Sequence, residues 1–212
     1  MKTPGAGLDG SIPASPRATP PTVLGGWAFR NRSWLPVPLA LAAVLITTGK
    51  VESGWLLLAG AGLVTTGQAV RFWAVRHIGV ISRTRATRRL GPLVMTGPYA
   101  RIRNPLYVGN WLLWTGLVLG SRLLWMLPMA WVLFALQYGA MARWEEQQLH
   151  HHFSDAYGAY SDRVHRWWPA IGRGDAPAMV LHPWSEVLFS ERGTLAAVGV
   201  MVVLLAAKEM LM

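Results

Sequence analysis

Three polar stretches hold the residues whose types and spacing could do chemistry, and each is set against an apolar run. The first is GPYARIRNPLY, residues 97–107, which leads straight into VGNWLLWTGLVLG. Gly97 and Pro98 make a turn, and Asn104 followed by Pro105 reads as a helix start. Asn is a favoured N-cap, and proline is tolerated at the first helical position because its missing N–H would have gone unpaired. The free N–H groups of that first turn, with Arg101 and Arg103 beside them, would suit a carboxylate or phosphate. A capped helix with interfacial arginines would read the same way.

The second stretch is RWEEQQL, where Glu145 and Glu146 are adjacent at the end of an apolar segment. Two carboxylates there repel each other near the negative end of a helix dipole, so they need cations, hydroxyls or water. In the third, Leu149, Phe153, Tyr157, Tyr160 and Val164 recur at spacings of three and four. They predict one face of an amphipathic helix lying on a membrane or over the site, with two hydroxyls that prefer polar partners. His150, His151 and His152 could suggest a metal. Consecutive helical positions point about 100° apart, so the three do not converge on one ion and no metal is expected.

The elements that must position these residues are apolar. In 212 residues, 52% are hydrophobic and only 14% charged, and the mean hydropathy is +0.30. That composition fits a membrane protein better than a soluble domain. Without cysteine there is no disulfide framework, thiolate metal site or thiol nucleophile. Residues 1–33 are rich in Pro, Gly, Ala and Ser without hydrophobic period and are expected to be a disordered tail with no cleavable signal. Runs near the roughly 20 residues needed to cross hydrocarbon fall at about 34–49, 54–75, 105–120, 123–142 and 194–212. Small residues in GWLLLAGAGLVTTGQAV suit close helix packing. Lys208 and Glu209 are expected to snorkel to an interface.

The expected fold is therefore all-α, a polytopic membrane protein of about five transmembrane helices plus a cytoplasmic amphipathic helix. Between Arg71 and Arg103 lie Arg76, Arg83, Arg85, Arg88, Arg89 and Arg101 with no acidic residue, which puts that loop on the cytoplasmic side. The N-terminus and the polar stretches fall on the same side, and the C-terminus on the opposite one. The net charge of +10 is spread among these loops, so it reads as a topology signal and contact with membrane lipid, with no nucleic acid partner expected.

The ordered set LVMTGPYARIRNPLYVGN, EEQQLHHHF and YGAYSDRVHRWWP resembles the isoprenylcysteine carboxyl methyltransferase family, within the wider group that includes phospholipid methyltransferases. The resemblance covers about residues 71–169. It implies a single membrane-embedded methyltransferase domain over 34–212, with a motif core at 71–169 and a last transmembrane helix at 194–212. It also implies S-adenosylmethionine, bound by Leu93, Val94, Tyr99, Arg103, Asn104, Pro105, Tyr107, Glu145, Glu146, Tyr157, Tyr160 and Arg166. Asn104 stands where the family has histidine, which keeps hydrogen bonding and removes titration. The family arginine that meets the acceptor falls on Met141, leaving nearby Arg143 as the candidate for substrate binding.

The first-turn N–H groups with Arg103 suit the cofactor's carboxylate, and Glu145 and Glu146 its ammonium or ribose. The expected acceptor is a lipophilic, isoprenoid-like carboxylate, which needs no general base. An amine acceptor, as in phospholipid N-methylation, would first have to lose a proton. An NADPH-dependent sterol-reductase-like enzyme and a non-enzymatic membrane scaffold or transporter are the remaining alternatives.

Overall fold

A computed structural model describes residues 20–79, 92–169 and 181–211. Among these residues the chain is all-helical, without strands: α1 (Pro20–Arg30), α2 (Val37–Leu45), α3 (Gly54–Ile78), α4 (Pro105–Gly120), α5 (Met126–Arg163) and α6 (Trp184–Met210), with a 3-10 turn at Gly97–Ala100. Arg83, Arg85, Arg88 and Arg89 lie outside the described residues.

The N-terminal part departs from expectation. Residues 20–30, read from sequence as tail, form α1, and the first expected span at 34–49 is helical only over the 9 residues of α2. Pro36 and Pro38 cannot donate backbone N–H groups, so the chain turns at 31–36 before helix resumes. The α1–α2 arm runs antiparallel to the first half of α5. Ala28 packs with Tyr138, Met141 and Ala142, while Leu39 and Ala43 pack with Leu123, Met126 and Ala130. Gly25 abuts the Ala140 carbonyl, where a Cβ would have no room.

Helices α3 and α4 pack closely in antiparallel fashion through glycines. A Cβ on Gly60 would lie 2.6 Å from the Gly116 carbonyl oxygen, and one on Gly67 would lie 2.7 Å from that of Gly109. Small residues bring the two backbones together, and α3 thereby holds Arg71 against α4.

Helix α5 runs for 38 residues but bends at Ser154, whose φ of 41° lies in the left-handed region. The bend turns the last part back over the 97–107 stretch. The expected amphipathic helix is thus the end of α5, and its apolar face packs on Leu93 and Met95.

Among the described residues only α6 is both long and apolar enough to cross a membrane by itself. Helix α3 interrupts its apolar run with Gln68, Arg71 and Arg76, and α4 has only 16 residues. Apolar side chains nevertheless face outward along the bundle: Trp131, Val132, Leu133 and Leu136 on α5, and Val202 and Val203 on α6. So large an exposed apolar surface is what a membrane or another protein covers.

At the end of the bundle far from the polar stretches, ion pairs join the loops to the end of α6. Lys50 meets Glu209 at 2.9 Å, and Arg122 meets Glu52 at 3.0 Å and Glu209 at 3.3 Å. Lys208 does not snorkel outward. It is 7% exposed and donates to the carbonyls of Ala43 and Ile46, at 2.7 and 2.5 Å, satisfying acceptors at the end of α2.

Candidate functional site

The three polar stretches come together at one end of the bundle. The bend at Ser154 sends residues 155–166 back across the 97–107 stretch, and three hydrogen bonds fasten them there. Tyr160 donates its hydroxyl to the Tyr99 carbonyl at 2.7 Å, the Arg103 backbone N–H donates to the His165 carbonyl at 3.0 Å, and Asn104 Nδ2 donates to the Arg166 carbonyl at 3.4 Å. Asn104 does occupy the N-cap position of α4, but its side chain makes no capping bond. It joins the two polar stretches instead. At the turn, Gly97 has φ 58° and packs against the His77 ring, so both its conformation and its surroundings exclude a side chain.

A cavity of about 940 Å³ lies beneath this strap. Of the residues expected around a cofactor, Leu93, Val94, Tyr99, Arg103, Asn104, Pro105, Tyr107, Glu145, Glu146, Tyr157 and Tyr160 line it. Arg166 stands just behind, donating to both oxygens of Glu146 at 2.8 and 2.5 Å. Arg103 reaches the same carboxylate at 3.6 Å. Glu145 instead accepts the Tyr107 hydroxyl at 2.6 Å. The adjacent acids are therefore compensated separately, Glu146 by two cations and Glu145 by a hydroxyl.

That division gives them different electrostatics. Burial raises the Glu145 carboxyl to about 7, partly opposed by the Tyr107 hydrogen bond and the Arg32 charge. The hydrogen bond to Glu146 is the main reason Arg166 holds its proton more firmly than a free arginine. Burial also raises Tyr157 to about 12 and moves Tyr99 and Tyr160 further above the ordinary tyrosine range, so all three present neutral hydroxyls. Two buried polar atoms on cavity residues, the Tyr99 hydroxyl and Arg103 Nε, have no hydrogen-bond partner among the described residues. Orphaned groups of this kind are rare in native interiors and suit a polar ligand in the cavity.

The other end of the cavity is apolar. Val37, Ala40, Leu41 and Val44 of α2, Leu113 and Leu117 of α4, and Ala197, Val200, Met201 and Leu204 of α6 line it. Tyr107 and Tyr138, with ring centroids 4.8 Å apart, belong to the same lining. Arg143, the sequence candidate for substrate binding, is exposed and absent from this lining. Neighbouring positions on a helix diverge by about 100°, and here it is Met141, fully buried, that faces the interior.

Sequence reading missed a second polar group on the cavity wall. Arg71 of α3 donates to Glu191 of α6 through Nε and Nη2, both at 2.8 Å, and to Asn110 Oδ1 at 2.6 Å. Asn110 in turn donates to the Tyr138 hydroxyl at 3.1 Å. The available signal was an arginine and a glutamate within or beside apolar segments, where unpaired charge is costly. Nothing in the sequence pairs positions so far apart. Among the described residues, no group of three or more His, Cys, Asp or Glu is placed to hold a metal ion.

This arrangement defines a helical bundle with a ligand cavity divided into a polar, ion-paired part and an apolar part. The profile of the phospholipid methyltransferase family matches residues 55–156, which take in α3, α4, the turn between them and most of α5. The chain belongs to that family of membrane methyltransferases. It is similar to the cobalt-zinc-cadmium resistance protein CzcN of Cupriavidus metallidurans, 30% identical over 180 residues that cover 79% of this chain and 78% of that protein. Similarity to the nickel-cobalt-cadmium resistance protein NccN of Alcaligenes xylosoxydans xylosoxydans is 27% over 168 residues, 76% of this chain and 75% of the relative. No solved structure gives a significant match.

Proposed function

We propose that this membrane methyltransferase uses S-adenosylmethionine to methylate a carboxylate on a lipophilic, isoprenoid-like acceptor. The observation that carries the reading is the continuity of the cavity, whose polar part runs directly into a part lined by α2, α4 and α6. A volume of about 940 Å³ is within the roughly 300–1,000 Å³ of small-molecule sites. The unpaired Tyr99 hydroxyl and Arg103 Nε would serve the cofactor's carboxylate or ribose, and Glu145 its ammonium. Leu93, Val94 and Tyr157 supply surface for its purine. Bound S-adenosylmethionine supplies an electrophilic methyl group on a sulfonium sulfur.

The chain's own part is to hold and shield. The strap of residues 155–166 covers the polar part, and the apolar walls keep water from the acceptor, so nucleophile and methyl are aligned by binding. In this proposal five segments cross the membrane, the first being the α1–α2 arm, with the site and N-terminus cytoplasmic and the C-terminus opposite. The motif core at 71–169 carries the site.

One observation favours N-methylation of an amine as a second reading. A Glu145 carboxyl raised to about 7 could take the proton an ammonium must lose. The two readings separate by product. Labelled methyl released from membrane extracts by mild base marks an ester, whereas base-stable label marks an N-methyl group. Titration of the detergent-purified chain with S-adenosylhomocysteine tests the cofactor itself, and folded protein that does not bind it would overturn the proposal.

A further inference from the structure

We infer that Arg32, on the turn between α1 and α2, is the residue that binds the acceptor's anionic head group and selects carboxylate over amine. The inference rests on the methyltransferase reading above and deepens it. Arg32 lines the cavity together with Glu145 of its polar part and with Tyr107, Tyr138 and Val37. Its guanidinium lies 4.2 Å above the Phe29 ring, and its charge acts on the Glu145 carboxyl and on the hydroxyls of Tyr107 and Tyr138. A lipid with its chain along Val37, Ala40 and Val44 would bring its head to this level.

The other arginines near the site are placed differently. A guanidinium offers five N–H groups, and those of Arg71 meet Glu191 twice, Thr194, Asn110 and the Leu106 carbonyl. Saturated in this way, Arg71 joins α3 to α4 and α6. Arg103 is drawn to Glu146 at the cofactor end. Arg143 is exposed outside the cavity. Arg32 also stands on an element outside the 55–156 family match. Head-group selection could thus vary between relatives without disturbing the cofactor site.

The test uses the full detergent-purified chain saturated with S-adenosylhomocysteine and two radiolabelled probes of equal chain length, palmitate and hexadecylamine. Wild type should bind palmitate at least tenfold more tightly than the amine. Arg32→Gln should lose that preference and Arg32→Lys should retain it. Affinity for S-adenosylhomocysteine should hold in Arg32→Lys and fall in Arg32→Gln by much less than affinity for palmitate, since the missing charge only lets the Glu145 carboxyl rise further. Three results would overturn the assignment: no carboxylate preference in wild type, an undiminished preference in Arg32→Gln, or a loss of S-adenosylhomocysteine binding in Arg32→Gln equal to the loss of palmitate. Failure of wild type to bind S-adenosylhomocysteine at all would instead sink the methyltransferase reading on which the assignment rests.

Discussion

Replacing Glu145 by Gln isolates one charge in the polar part of the cavity while keeping its shape. In the structure the carboxylate accepts the Tyr107 hydroxyl at 2.6 Å, and a Gln carbonyl oxygen can accept the same bond. What the variant lacks is negative charge for the ligand's ammonium. Hydrogen bonds to charged groups contribute about 1.5–3 kcal/mol, so affinity for S-adenosylhomocysteine should fall by about 10- to 150-fold.

The pH dependence is a sharper test than the affinity. Burial raises the Glu145 carboxyl from an ordinary 4.5 to about 7. Below that pH the wild type must release a proton before the carboxylate can meet an ammonium. Wild-type affinity should therefore weaken as pH falls from 8 to 5.5, by about thirtyfold in the limit where only the ionised form binds. The amide in Glu145→Gln cannot titrate, so this contribution should be absent from the variant.

Calorimetry at pH 5.5, 6.5, 7.5 and 8.5, in buffers of differing ionisation enthalpy, reads both affinity and proton release. Stability should move in the opposite sense. A carboxyl raised on folding favours the folded state below about 4.5, and that advantage is lost as pH rises through 7. Glu145→Gln removes this loss, so at pH 8 it should unfold no earlier than wild type. Equal affinities in the two proteins at pH 8, or a wild-type profile without proton release, would refute the assignment of Glu145 to the ammonium.

Other perturbations test the frame around the site. Arg71→Met leaves Glu191, 1% exposed, as an uncompensated buried charge and should cost about 3–5 kcal/mol in detergent unfolding. Adding Glu191→Met should recover much of that loss. Gly67→Ala places a Cβ 2.7 Å from the Gly109 carbonyl oxygen and should cost about 1–3 kcal/mol through overpacking. Gly199→Ala has nothing within 4 Å and only gains helix propensity, so as the control in the same melt it should not destabilise. Tyr160→Phe removes the bond to the Tyr99 carbonyl and should cost about 0.5–1.5 kcal/mol, with faster proteolysis of the strap. Because the chain has no cysteine, single cysteines at positions 5 and 210 can be probed with an impermeant maleimide in intact cells. Only position 210 should be labelled, and labelling at position 5 would reverse the proposed orientation.

Local chemistry in the sequence determined a good deal of this protein. A glycine before proline placed the turn at 97–100, Pro105 started α4, and small residues in α3 suited it to the close packing it makes with α4. The three-and-four spacing from Leu149 to Val164 identified side chains that do share one cluster. These features are legible because each is settled within a few residues, by a fixed φ, a missing N–H or a helical period.

Other features depended on contacts between distant segments, and only the tertiary structure decided them. Ser154 carries no helix-breaking signature, yet its left-handed conformation folds the end of α5 over the cavity. Tyr160, His165 and Arg166 hold it there through bonds to Tyr99, Arg103 and Asn104. The pairing of Arg71 with Glu191 spans 120 positions, and the arrival of Arg32 beside Tyr138 and Glu145 required α1 to pack along α5. A charge in an apolar segment announces that it needs a partner, but which partner it meets depends on where the helices pack.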